Sequence, residues 1–244
     1  MGGVAGHMSH LYENPSLTFR EIKDVLQKAA AGELIGTEKT DGQNLFVSYS
    51  VKDGRAKAAR NKGDIKRGGM TVEDIAAKFA GRGALSQTFT ESFAAFEKAI
   101  NSLSLEEKID IFGPDANVFY NAEIQDPRSA NVINYDTKNL TIHRVGHAEF
   151  NKMTGDVEDK DLTQNFEKLE SALERAQIAL QDDEYNVQVN AIKNLRALSD
   201  DVALNEALSR IEKFIDSLGI SDNHTIGDMI IAGLDMKLDD YGIP

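Results

Sequence analysis

The spacing of apolar residues changes along this chain, and that change constrains the fold more than any other feature of the sequence. Between residues 45 and 51 apolar side chains alternate with small or polar ones, and Asp53-Gly54 supplies a turn before residues 55–60. This pattern predicts a β-hairpin. From about Thr163 apolar residues recur every three or four positions, which predicts helices. We therefore predict an α+β fold in which a part with antiparallel sheets precedes a helical part.

Further elements follow from capping and spacing signals. Thr18 with Glu21 forms a capping box that opens a helix, and Thr71 with Asp74 opens another. The remaining predictions are a helix over 89–100, strands over 118–124 and 140–145, a basic loop over 61–69, and helices through 166–180, 187–195, 202–218 and 225–238.

The charge is distributed unevenly between these two parts. The formal net charge is −13, and residues 1–150 carry 20 acidic and 18 basic side chains, so that residues 151–244 hold 20 acidic and 9 basic ones. We predict a domain boundary here, with a polar linker near residues 151–161. Residues 1–150 are the predicted mixed α and β domain, and residues 151–244 are an acidic α-helical module or insertion. Because an acidic surface repels polyanions, any nucleic-acid or phosphate chemistry is expected in the first part.

Composition narrows the class and the compartment. The chain has no cysteine, and no apolar run is long enough to cross a bilayer. Its start lacks a charged leader followed by an apolar stretch, so we expect no secretion. These features favour a cytoplasmic protein that does not bind membranes, and they leave its oligomeric state open.

The segment that carries chemistry is Glu38-Lys39-Thr40-Asp41-Gly42-Gln43-Asn44. Lys39 lies before a predicted strand, where a loop can hold its amine in a pocket, and Gly42 permits a sharp reversal and leaves room for a bound group. A lysine amine attacks a phosphate only when it is deprotonated, and nearby positive charge and desolvation both lower the pKa of such an amine. Lys39 is therefore a candidate nucleophile.

A basic stretch follows, and two interpretations of it stay open. Residues 52–67 contain seven Lys and Arg against two Asp. Lys62, Lys66 and Arg67, with glycines nearby, could form a track for phosphates or nucleic acid. The stretch could equally be an ordinary solvated hairpin and loop. A metal site is not predicted, because His143 and His147 have no third ligand nearby.

These residues resemble the covalent nucleotidyltransferases, the superfamily of ATP-dependent DNA ligases, RNA ligases and capping guanylyltransferases. The nick-sealing bacteriophage-type RNA ligases place Glu before the nucleophilic lysine and Asn five residues after it, as in Glu38, Lys39, Gly42 and Asn44. Arg60 fits the arginine that follows about twenty residues later. Glu123 fits the glutamate that ends a strand and contacts the ribose, although Ala122 stands where the family has Gly.

The resemblance implies a ligase-type fold with antiparallel sheets around a nucleotide cleft. It implies that Lys39 takes up AMP from ATP with Mg²⁺, and that AMP then passes to a 5′-phosphate end of RNA or DNA. Glu38, Gly42, Asn44, Arg60 and Glu123 would surround the nucleotide.

The resemblance ends after about residue 145. No Glu-Gly-aliphatic and no Lys-x-Lys motif follows Glu123. Three explanations stay open: the helices are an insertion in a shortened relative, the site is completed differently, or the protein binds nucleotide without transferring it. Two rival functions also stay open: a non-catalytic nucleotide- or nucleic-acid-binding protein, and an interaction protein that uses the acidic helices.

Overall fold

The computed structural model describes residues 11–181 and 184–241, and it contains both helices and strands. The predicted mixture of α and β structure is confirmed. Residues 1–10, where the absence of a leader was predicted, lie outside the described residues. The chain divides into two compact units. We call residues 38–190 the sheet unit, and residues 11–37 with 191–241 the terminal unit.

The described elements alternate along the chain. The helices of at least five residues are α1 (Phe19–Ala30), α2 (Lys62–Lys66), α3 (Val72–Lys78), α4 (Ala84–Asn101), α5 (Leu105–Phe112), α6 (Thr163–Ala176), α7 (Val202–Ser217) and α8 (Ile226–Asp240). The strands are β1 (Ile35–Thr37), β2 (Gln43–Ser50), β3 (Arg55–Ala59), β4 (Val118–Gln125), β5 (Asn139–Ile142), β6 (His147–Asn151), β7 (Asp156–Lys160), β8 (Asn186–Val189) and β9 (Ile192–Asn194).

The sheet unit is built on one mixed sheet with the strand order β3-β2-β4-β5-β8. The strands β2, β3, β4 and β5 pair antiparallel, whereas β8 runs parallel to β5. β6 pairs with the other end of β4 and forms an antiparallel hairpin with β7.

One face of this sheet carries the main hydrophobic core. Alternate residues of β2 and β4, among them Leu45, Val47, Tyr120 and Ala122, are buried against α4 and α6. Phe89, Phe93 and Phe96 of α4 are fully buried there, as expected for apolar residues at helical spacing.

The opposite face is apolar at one end and polar at the other. Phe46, Phe119 and Ala148 form a small second cluster. Towards the start of β2 the residues on this face are Asn44, Asn121, Glu123, Gln125 and Thr141, because successive side chains of a strand point to opposite faces. We call this region the polar sheet face.

The terminal unit contains α1, α7, α8 and the two-stranded sheet of β1 and β9. The capping box predicted at Thr18 is present, with Glu21 accepting from the Thr18 backbone N–H at 2.8 Å. Lys23 of α1 is almost fully buried and forms ion pairs with Glu212 and with Asp222, the latter at 2.6 Å.

Two local predictions are wrong. The linker expected over residues 151–161 is the end of β6 and the whole of β7, a short charged hairpin whose exposed residues made it look like a connection. The helix expected over 187–195 is β8 and β9, because Val187 is buried where β8 pairs with β5. The division into compact units therefore follows different boundaries from the predicted domains.

The basic loop predicted over residues 61–69 contains α2, which begins after Asn61 and ends before Gly68 and Gly69, both at positive φ. The helix α5 was not predicted, although Ser104 and Glu107 form a capping box at its start. Within the described part of the chain, no helix is both long and apolar enough to span a bilayer.

Candidate functional site

Lys39 lies in a loop of residues 38–42 that leads directly into β2. The side chains of Glu38 and Lys39 are exposed, whereas Thr40 is buried. The ammonium group of Lys39 has no hydrogen bond or ion pair with any residue that the structure describes. The amine is therefore accessible and is not enclosed in the pocket that the sequence analysis expected.

Asp41 and Glu38 fix this loop to neighbouring segments of the sheet unit. The Asp41 carboxylate accepts hydrogen bonds from the backbone N–H groups of Val132 at 2.6 Å and Ile133 at 2.8 Å. The Asn190 amide donates to the carbonyl oxygen of Glu38 at 2.7 Å. These hydrogen bonds hold the backbone on both sides of Lys39.

Gly42 allows the loop to pass against β4. A Cβ atom at this position would lie 2.2 Å from the carbonyl oxygen of Ile124 and 2.8 Å from its carbonyl carbon. These are backbone atoms of a paired strand and cannot rotate away. Glycine at this position leaves room for the backbone of β4, whereas the sequence analysis expected it to leave room for a bound group.

Glu123 is the centre of the polar sheet face. It pairs across the ladder with Asn44, as the antiparallel register of β2 and β4 requires. The Thr40 hydroxyl donates to its Oε2, and Nε2 of His143 lies 3.3 Å from the same oxygen. The predicted residues Asn44 and Glu123 are thus brought beside the loop that carries Lys39.

Asn44 and Asn121 form the next layer of this face. The Asn44 amide donates to Oδ1 of Asn121 at 2.7 Å and to the Ala122 carbonyl at 3.3 Å. The backbone N–H of Asn121 donates to Nδ1 of His147 at 3.2 Å. Asn44 therefore links the start of β2 to β4.

The two histidines near this network are buried. His143 is 3% exposed and His147 is 2% exposed. Nδ1 of His143 and Nε2 of His147 have no hydrogen-bond partner among the described residues. Burial lowers the pKa of His147 to about 4 and so keeps its ring neutral at pH 7.

Arg60 does not join this group. Its guanidinium carbon lies 4.8 Å from the ring centroid of Phe89 on the helix-covered face, with a buried Nη1 that has no partner among the described residues. Burial lowers the pKa of Arg60, while the charge of Asp64 acts in the opposite direction. Since Glu123 points to the other face of the sheet, the structure separates these two predicted nucleotide contacts.

The basic stretch is largely neutralised by acidic neighbours. Arg67 pairs with Asp64 at 2.6 Å, and Lys62 pairs with Asp159 at 3.3 Å. In the hairpin, Arg55, Lys57 and Lys52 also have carboxylate partners. Lys66 is exposed and forms no ion pair with the described residues. Most of these charges are therefore compensated, which favours the solvated-surface interpretation over a track for polyanions.

Among the described residues, no group of three or more His, Asp and Glu side chains could hold a metal ion. The Asp41 carboxylate is engaged by backbone N–H groups, and Glu123 by Thr40 and His143. The residues present do not fit a resident Mg²⁺.

A separate cleft of about 390 Å³ lies between α5 and α6. Four acidic side chains line it, against the two cations Lys168 and Arg175 (the acids are Glu106, Glu107, Asp110 and Glu167). This charge balance does not suit a triphosphate.

The sequence analysis did not predict that three residues belong to this site: Thr40, Asn121 and His143. Thr40 lies inside the recognised segment, and Asn121 is two residues before Glu123, on the same face of β4. Strand alternation could have identified Asn121, whereas the contact of His143 with Glu123 depends on the pairing of β4 with β5. Comparisons with family models, with curated proteins and with solved structures give no match for this chain.

Proposed function

We propose that this protein is an ATP-dependent nucleotidyltransferase of the RNA-ligase type, in which Lys39 forms a covalent lysyl-AMP intermediate. The observation that carries the proposal is an exposed lysine on a loop beside Glu123. The backbone of this loop is held by hydrogen bonds on both sides of the lysine. Thr40, one residue after the nucleophile, bonds to Glu123, and Asn44 lies opposite Glu123 in the ladder. The proposed fold is accordingly a ligase-type nucleotidyltransferase domain.

In the proposed reaction the neutral amine of Lys39 attacks the α-phosphorus of ATP. A P–N bond forms, the bond from this phosphorus to the bridging oxygen of the β-phosphate breaks, and pyrophosphate leaves with the electron pair. The proton of the amine passes to solvent. The AMP is then transferred to a 5′-phosphate end of RNA or DNA, with ATP entering as its Mg²⁺ complex.

The residues near Lys39 each have a part in this reaction. Glu123 accepts a hydrogen bond from a ribose hydroxyl, and Glu38 contacts the base. Gly42 keeps the loop against β4, and Asn44 holds the start of β2. Arg60 is left out of the nucleotide-binding set, because its side chain lies on the other face of the sheet.

The test is incubation of the full chain with α-labelled ATP and Mg²⁺, followed by a denaturing gel. We expect label that survives denaturation and is lost in Lys39→Arg, which keeps the charge but removes the nucleophile. Lys213→Ala is the matched control, because Lys213 is an exposed lysine of the terminal unit. ATP labelled at the γ-phosphate should leave no label, which distinguishes transfer of AMP from phosphorylation.

The labelling assay, combined with measurements of ATP binding and of melting temperature, distinguishes the proposal from the rival functions. Binding of ATP without covalent label would identify a non-catalytic nucleotide-binding protein. Absence of any ATP-induced shift in melting temperature would contradict the proposal and favour an interaction protein. Nucleic-acid binding through the basic stretch is disfavoured by its ion pairs.

A further inference from the structure

The helix α8 carries an uncharged, mostly apolar run over residues 229–234 and yet is mostly exposed. Among its side chains only Ile226 is buried, whereas Ile230 is 50% exposed, Ile231 59% and Leu234 58%. A contiguous exposed apolar surface of this kind marks an interaction site.

A groove runs between α7 and α8 within the terminal unit. It has a volume of about 400 Å³, and six of its apolar lining residues are Phe214, Leu218, Met229, Ile230, Leu234 and Met236. Gly233 also lines the groove, and a Cβ atom at this position would meet nothing within 4 Å. Methionine side chains adapt to partners of different shape, so two of them suit a docking surface.

The charge around this groove is acidic. Residues 202–240 contain eight Asp and Glu against three Lys and Arg, a net charge of −5. Asp216 at the end of α7 and Asp235 and Asp239 on α8 are exposed. The single lysine in the groove, Lys237, lies 3.4 Å from the Asp240 carboxylate. The surface therefore combines an apolar floor with an acidic surround.

We propose that the α7–α8 groove binds a basic amphipathic helix of another protein. The apolar side chains of that helix, spaced at i, i+3, i+4 and i+7, enter the groove between Phe214 and Leu234. Its Lys and Arg side chains then face the acidic residues around the groove. A second copy of this chain would bring like charge to like charge, and an anionic membrane would be repelled for the same reason.

The experiment uses the full chain and a fluorescent peptide of about 16 residues, long enough to form a helix on binding. The peptide has Leu at i, i+3, i+4 and i+7 and Lys at the other positions. One control peptide has the same composition in scrambled order, and another has Glu in place of every Lys. Fluorescence anisotropy gives the dissociation constants.

Two substitutions at one position form the matched pair of protein variants. Gly233→Trp fills the groove, and Gly233→Ala adds one methyl group where there is open space. Both replacements favour the helix over glycine, so neither is expected to unfold α8. Leu234→Asp is a further variant, because this exposed side chain can be changed without opening a core.

We expect the patterned Lys peptide to bind at least about tenfold more tightly than either control peptide. Gly233→Trp and Leu234→Asp should each weaken it by about tenfold or more, and Gly233→Ala should change it by less than about twofold. Equal binding of the scrambled peptide, or full binding by Gly233→Trp, would overturn the proposal. A dimer in sedimentation, or binding to phosphatidylglycerol vesicles, would also overturn it if Gly233→Trp abolished that association.

Discussion

The stability of the sheet unit should depend on pH through His147. The ring of this residue lies 5.1 Å from the ring centroid of Tyr120 and 5.5 Å from that of Phe166. Burial lowers its pKa from 6.5 to about 4. In the unfolded chain the same imidazole titrates near its ordinary value of about 6.5.

The sign of the effect follows from which state binds the proton first. As the pH falls below about 6.5 the unfolded state becomes protonated while the folded state does not, so the free energy of unfolding falls. The contribution of the neutral His147 ring to the free energy of unfolding is complete above pH 6.5 and is lost as the pH approaches about 4. Because a difference of one in pKa between the two states corresponds to about 1.4 kcal/mol, the full loss is at most roughly 3 kcal/mol, most of it between about pH 6.5 and 4.5.

The assay is urea unfolding followed by circular dichroism, because the chain contains no tryptophan. Wild type and His147→Phe are compared at about pH 7 and about pH 4.5. Phenylalanine keeps an aromatic ring against Tyr120 and Phe166 but cannot titrate. It loses the acceptor for the Asn121 N–H, so we expect lower stability at pH 7, by about 1–3 kcal/mol.

The informative quantity is the change between the two pH values. Between about pH 7 and about pH 4.5 the free energy of unfolding of the wild type should fall by roughly 2 kcal/mol more than that of His147→Phe. His224→Ala is the control, because His224 is exposed in the terminal unit, and its pH dependence should match that of the wild type. An equal pH dependence in wild type and His147→Phe would refute the assignment of a buried neutral imidazole.

Three further predictions test other parts of the structure. Gly42→Ala should lower the free energy of unfolding by about 1–3 kcal/mol and abolish adenylation, because its Cβ would collide with β4. Gly36→Ala, where a Cβ meets open space, should change stability by less than about 0.5 kcal/mol in the same urea titration. Arg60→Met should keep covalent labelling by ATP within about threefold, and loss of label on the gel would restore this arginine to the site. Asp126→Asn should lower the free energy of unfolding, measured with urea, by about 3 kcal/mol. The reason is that this buried carboxylate accepts a hydrogen bond from Arg128 at 2.7 Å. An unchanged free energy of unfolding would contradict the importance of this ion pair.

Local signals in the sequence predicted those elements whose patterns are decided by neighbouring residues. The hairpin of β2 and β3 followed from alternation and Asp53-Gly54, and α1 and α3 followed from the capping signals at Thr18 and Thr71. These structures depend on contacts within about ten residues, so a single sequence contains the necessary information.

The errors arose where distant pairing decides the structure. Val187 is part of a strand because β8 lies beside β5, which is more than forty residues away in the sequence. The alternation of Tyr185, Val187 and Val189 was present in the sequence but competed with an apparent helical spacing from Val187 to Leu195. Local propensity is commonly overridden by such long-range packing.

Only the part of the candidate site that is contiguous in sequence could be predicted, because the rest depends on the pairing of distant strands. Glu38 to Asn44 are contiguous, so their shared loop could be recognised from the sequence. The meeting of Asn44 with Glu123 depends on the register of β2 against β4, and only a family resemblance suggested it. The separation of Arg60 from Glu123 depends on which face of the sheet each side chain occupies, which the spacing of motifs does not determine.

The most direct test of the central claim is the position of the modification. The full chain is incubated with ATP and Mg²⁺, digested, and analysed by tandem mass spectrometry under conditions that preserve a phosphoramidate. We expect one AMP group, attached to Lys39 in the peptide that contains residues 38–44. AMP on a different residue, or an unmodified Lys39 in protein that binds ATP, would contradict the claim that Lys39 is the nucleophile.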